Sequence, residues 1–201
     1  MAKIKYTKNE LKFQRDSLGR FERYLPTLLL KKQQLQMEVR QVEARLEEKV
    51  NEERRLLEEL ADWRRLFAEP FDFAAHLRLR EVRQTTGNIA GVNIPLLEEL
   101  VFEKTTPDLL TTPPWVDDGL SVLEQLLSLR VEQDILREQM RLLGDELRVT
   151  SQRVNLFEKV KIPECRENIR TIKIFLGDEQ TAAVARSKIA KNKTLAKVMT
   201  A

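Results

Sequence analysis

The chain has 201 residues, 33% of them charged and 42% hydrophobic, with a net charge of +3, one cysteine and one histidine. That balance excludes a disordered chain, and no stretch approaches the roughly 18 apolar residues of a membrane span. A lone cysteine excludes a disulfide framework, and Cys165 and His76 have no carboxylate cluster near them from which a metal centre or a nucleophile-base pair could be assembled.

The opening stretch MAKIKYTKNELK carries charge without an apolar core, so it does not read as a signal peptide, and the cytoplasm is the expected compartment. In Thr7-Lys8-Asn9-Glu10 a hydroxyl and a carboxylate are spaced as a capping box, which predicts a helix start near Thr7. Leu11, Leu18, Phe21, Leu25 and Leu28 begin an apolar stripe. Leu35, Val39, Val42, Leu46, Leu56, Leu60, Trp63 and Phe67 continue it in alternating four- and three-residue steps, with Lys49 and Glu53 as polar interruptions. That rhythm is a coiled-coil seam, and it places a first helical arm at 7–69.

The connector, 70–118, changes character. Leu77, Leu79 and Val82 lead into Thr85-Thr86-Gly87-Asn88-Ile89-Ala90-Gly91-Val92-Asn93-Ile94-Pro95, where two glycines and a proline forbid a continuing helix. A β-hairpin or two short strands is expected, with Gly87, Asn88, Gly91 and Pro95 at a tip suited to docking onto a partner. The glycine spacing matches neither phosphate-binding fingerprint, which leaves turn chemistry as its purpose. Pro107, Pro113 and Pro114 then keep the chain extended.

A second arm, 119–192, is expected to open near Asp117 or Asp118, whose side chains suit an N-cap. Its stripe runs through Val122, Leu126, Leu129, Leu136, Met140, Leu143, Leu147, Val154 and Phe157, interrupted by Gln133 and Thr150. Beyond Pro163 the stripe moves over by one residue, to Cys165, Ile169, Ile172 and Leu176, which predicts a local change of helical phase and a bend. On that stripe Cys165 reads as a buried, inert thiol. Residues 193–201 form a basic tail.

Neither arm can bury its stripe alone, and the connector lets the second fold back along the first. The expected fold is therefore mainly α: a long antiparallel two-helix coiled coil with a β-hairpin connector at the closed end, one elongated domain over 1–201. Equal rise from inner ends near Glu69 and Gly119 puts Pro26 almost level with Pro163, suggesting a shared bend. Charge is graded along such a rod. Residues 1–32 carry nine bases against three acids and 181–201 carry five bases, including Lys197, and no acid, whereas the connector has four bases and eight acids. The two basic stretches meet at the open end.

The segment Arg153-Val154-Asn155-Leu156-Phe157-Glu158, followed by Ile162-Pro163 and Asn168-Ile169, resembles the signature of the D subunits of V-type and archaeal A-type rotary ATPases. Thr7 to Leu11, Leu29-Leu30-Lys31-Lys32 and the Asn88 to Pro95 stretch resemble that family's other motifs in the same order, so the resemblance spans nearly the whole chain. Two features depart from the pattern: Pro26, and alanine and valine in place of the acids upstream of Arg186-x-Lys188-Ile189-x-Lys191. The resemblance implies a non-catalytic central rotor shaft without a cofactor, standing in a ring of catalytic and non-catalytic subunits. It implies a small globular rotor subunit and a funnel-shaped adaptor at the connector end, and a position peripheral to the membrane, on its cytoplasmic face. It marks Arg153, Asn155, Glu158 and Pro163 as family-motif residues. Lys8, Lys12, Arg15, Arg186, Lys188, Lys191 and Lys193 become the candidate ring contacts, since both basic stretches lie at the end that enters the ring.

Two other readings remain open to the residues themselves. One is a generic antiparallel coiled-coil scaffold or tether, which needs no elaborate tip. The other is a nucleic-acid-binding helical hairpin, against which stand a basic tail without interleaved aromatics and arms of nearly balanced charge.

Overall fold

A computed structural model describes residues 4–108 and 112–199, and side chains only as far as 194 within the last helix, so that of Lys197 lies outside the described residues. The first helix, α1, runs from Lys8 to Glu59, with Thr7 capping it: the Thr7 hydroxyl accepts the Glu10 backbone N–H at 3.2 Å. Only this half of the capping box forms, because the Glu10 carboxylate accepts from Gln14 Nε2 at 2.8 Å. Pro26 lies exposed within α1.

The α-helical part of the first arm ends earlier than its stripe suggests. After Glu59 the chain tightens into two 3₁₀ turns, Leu60–Asp62 and Arg64–Ala68, separated by Trp63 at φ −117° and ψ 7°. Glu69, held extended by the following Pro70, closes this stretch. Phe67 lies within 5.5 Å, ring centre to ring centre, of Trp63, Phe73 and Trp115, so aromatic packing takes over where the helix stops. A single turn, α2 (Phe73–His76), is capped by the Asp72 carboxylate, which accepts the Ala75 N–H at 3.2 Å.

Two strands of thirteen residues follow, longer than expected: β1 (Leu77–Ile89) and β2 (Val92–Lys104), paired antiparallel with register shifts after Leu79 and Arg83. The two turn residues, Ala90 and Gly91, both have positive φ, 50° and 80°, as the mirror-image turn that matches strand twist requires. Asn88 closes the turn by accepting the Gly91 N–H at 3.2 Å and donating to Asn93 at 2.7 Å. Gly87 lies within β1 and not in the turn; a Cβ there would approach Leu96 to 2.7 Å.

Helix α3 (Val116–Asn155) begins with Asp117 and Asp118 inside its first turn, where they favour the positive end of the helix dipole instead of preceding it as caps. A π-helical turn, Leu156–Lys161, leads into α4 (Ile162–Met199), and the Ile162 N–H reaches back five residues to the Phe157 carbonyl. Pro163 cannot donate to Lys159, and its ring would crowd that carbonyl in a regular helix; the wider turn relieves both. It is also the source of the one-residue shift in the stripe.

The chain divides into two compact units, Lys31–Val149 and the remainder, Met1–Leu30 with Thr150–Ala201. In the first, the buried core is Leu35, Val42, Leu143 and Ile94, so the hairpin packs its tip against both arms. Cross-arm pairs there link Lys31 to Glu146, Lys49 to Glu132 and Glu53 to Arg130. These α3 partners lie nearer the connector than expected, because α1 ends at Glu59 and not near Glu69. In the second unit Ser17, Thr150, Val154, Ile162, Cys165 and Ile172 are buried. Phe21 meets Phe157 at 5.0 Å, Tyr6 stacks on Phe175 at 4.9 Å, and Glu22 pairs with Arg166 at 2.8 Å. Both units are thus antiparallel helix pairs closed along their apolar stripes.

Candidate functional site

The surfaces that remain after the core is accounted for are a helix end, a ridge, a hairpin tip and a polar layer. From 177 to 194 every residue of α4 is exposed, including the apolar Val184 (57%) and Ile189 (55%). The Tyr6–Phe175 stack lies close to the start of α1 at Lys8, so α4 runs on for about 36 Å past it, at roughly 1.5 Å per residue. Among the described residues no second arm runs beside this segment, so its aliphatic side chains are left in water. Arg186, Lys188, Lys191 and Lys193 stand on this segment, and Lys8, Lys12 and Arg15 are exposed on the first turns of α1. Among the described residues none of these seven is drawn into an ion pair.

The ridge comes from the π-helical turn. Arg153, Asn155, Glu158 and Pro163 are all exposed, while Val154 and Ile162 between them are buried. The wider turn also leaves Leu156 and Val160 exposed, an apolar pair that the sequence pattern did not single out. Their signal was available: both stand off the shifted stripe, one turn apart, beside the proline.

At the tip, Pro95 is held by its own chain: its carbonyl accepts a hydrogen bond from Gln139 of α3, and Ile94 beside it is 1% exposed. The tip docks on the protein's own arms, leaving Asn88 and Gly91 at the surface. His76 packs its ring on Phe71 at 5.0 Å, with Nδ1 3.1 Å from the Asp72 carbonyl.

The polar interruptions noted in the two stripes meet one another. Gln133 donates to Glu53 at 2.7 Å, Arg130 closes on the same carboxylate, and Lys49 bridges Glu52 at 3.0 Å and Glu132 at 3.1 Å. The Gln133 hydrogen bond, helped by Arg130 and opposed by burial, lowers the Glu53 pKa, while hydrogen bonds from Lys49 to Glu52 and Glu132 raise that of Lys49. A depressed carboxylate stabilises the fold above its unfolded pKa and loses that contribution as pH falls through its folded one. Between pH 7 and pH 3 the melting temperature of the wild type is therefore expected to fall further than that of Glu53→Gln. Parallel acid melting curves for the two proteins would refute this coupling.

Among the described residues no helix is long and apolar enough to cross a membrane. What the geometry defines is a protein of antiparallel helix pairs joined through a β-hairpin, most of whose candidate residues are exposed. The sequence profile of the ATP synthase D-subunit family matches residues 10–192, so the chain belongs to that family. A V-type ATP synthase D subunit from Borreliella burgdorferi is 49% identical over 98% of both chains. The proteins of that name from Chlamydia trachomatis serovar L2 and Chlamydia caviae are 36% and 33% identical, over 96% of this chain and 96% and 94% of their own.

Proposed function

We infer that this chain is the central stalk subunit of a V-type ATP synthase, the rotor shaft that transmits rotation between the catalytic ring and the ion-translocating rotor in the membrane. The observation that carries this is the family match across 10–192 on a chain folded as two antiparallel arms. A stalk subunit is not the catalytic one. Its work is to resist twisting, and each buried Leu or Val along a seam contributes roughly 1.5 to 3 kcal/mol against separation of the arms.

The ring is the partner we assign to the exposed end of α4 and the first turns of α1. The exposed motif ridge at Arg153, Asn155, Glu158 and Pro163 is a second surface on which ring subunits can push. To the connector end we assign a small globular rotor subunit and a funnel-shaped adaptor. The basic end suits a rotating contact, because diffuse attraction between its cations and acidic patches on successive ring subunits needs no single fixed geometry.

Neutralising Arg186, Lys188, Lys191 and Lys193 to alanine together is expected to weaken ATP-driven rotation or assembly of the reconstituted complex at low salt. The difference from wild type is expected to shrink as salt shortens the Debye length to about 10 Å at 0.1 M and less above it. Rotation by the quadruple variant equal to wild type at low salt would remove this role from the tail.

A further inference from the structure

In the Lys31–Val149 unit, Gln133 sits on the buried stripe of α3 with 1% of its surface exposed. Its amide donates to Glu53 at 2.7 Å and to the Lys49 carbonyl at 3.3 Å, and its Oε1 accepts from Arg137 at 2.9 Å. Glu53 also accepts from Arg130 Nε. Among the described residues no buried side-chain nitrogen or oxygen lacks a partner. The same stripes otherwise carry mostly aliphatic positions, Leu46, Leu56 and Leu60 on the first arm and Leu126, Leu129 and Leu136 on the second.

Aliphatic layers that recur every seven residues bury similar area after a slip of one heptad, so they choose an alignment poorly. The polar layer chooses well. A slip of one heptad sets the Glu53 carboxylate opposite Leu126 or Met140 and the Gln133 amide opposite Leu46 or Leu60, away from each other.

We propose that Glu53, Gln133 and Arg130 form a register key, which selects one antiparallel alignment of the two arms in this unit. The hairpin is the competing candidate for that role, since Ile94 is inserted between Leu35, Val42 and Leu143. The key and the hairpin make different forecasts for a chain in which the polar layer is replaced by leucine. If the key acts, such a chain is stable but not unique; if the hairpin suffices, it is both.

The test uses the full chain with Cys165→Ala and spin labels at Arg40 and Gln125, both exposed and well separated along the unit. A one-heptad slip changes their axial offset by about 10 Å, which pulsed dipolar spectroscopy resolves. The wild-type layer is expected to give one distance. In E53L/Q133L a second population is expected, in a protein melting above either single variant. The same label pair in E53A/Q133A, which removes the polar layer with smaller side chains, serves should the leucine variant not fold, and a second population is expected there too. A single narrow distance in whichever of these folds would overturn the key and assign alignment to the hairpin.

Discussion

Ile94→Asp is expected to release the hairpin tip from the arms and to destabilise the Lys31–Val149 unit by about 4 kcal/mol, at the upper end of what single substitutions do. Ile94 is the one residue of β2 in the buried cluster, and Leu35 and Val42 of α1 and Leu143 of α3 surround it. A carboxylate there has no cation within that cluster, so it must either stay neutral or pull the strand into water. The strand has an easy route out, because the tip is otherwise retained by the hydrogen bond from Gln139 to the Pro95 carbonyl and by the half-buried Ile89 and Val92. Hydrogen exchange is therefore expected to accelerate across β1 and β2 and at Leu35 to Val42. Retained protection over β1 and β2 in the Asp variant would mean that the hairpin does not depend on this insertion.

A comparable loss is expected from Ile172→Ala in the other unit, about 2 to 5 kcal/mol. Ile172 is fully buried, on the stripe displaced by the π-helical turn, so truncating it leaves a void in the seam of this helix pair. Ile174, two residues on and 56% exposed, supplies the comparison: Ile174→Ala is expected to change stability by no more than about 0.5 kcal/mol. Urea titration distinguishes them, with the midpoint lowered for Ile172→Ala and unchanged for Ile174→Ala. Equal midpoints would show that the stripe beyond Pro163 does not bear the load assigned to it.

Much of this architecture is legible before any coordinates, because a coiled-coil seam is written in local spacing. Leu35, Val42, Leu143, Val154 and Ile172 all lie on the expected stripes and are all buried. The displacement at Cys165 and Ile172 also reports a real discontinuity, and Thr7 does cap the first helix. Cys165 is buried as expected, and that burial raises the pKa of its thiol. The end of α1 was not readable in the same way. Trp63 and Phe67 keep the heptad spacing, yet Phe67 turns to Phe73 and to Trp115, the latter far along the chain, with Trp63 against its other side, and the helix gives way to 3₁₀ turns.

The candidate contact surfaces divide along the same line. That Arg186, Lys188, Lys191 and Lys193 form a basic stretch needs only composition, but their standing on a helix that outruns its partner follows from where the first arm begins. Gln133, Lys49 and Glu53 were visible as breaks in two apolar rhythms. Their meeting was not, since each break is recorded on its own arm and only an alignment brings them level.

Spacing alone therefore determined two amphipathic helices, an antiparallel return and a glycine-bearing hairpin, because each depends on residues within a few turns of one another. Tertiary packing decided the rest: the level at which the arms meet, the insertion of Ile94 between them and the closure of the Glu53–Gln133 layer. Those depend on contacts between residues dozens of positions apart, whose energies appear only once the intervening chain has closed.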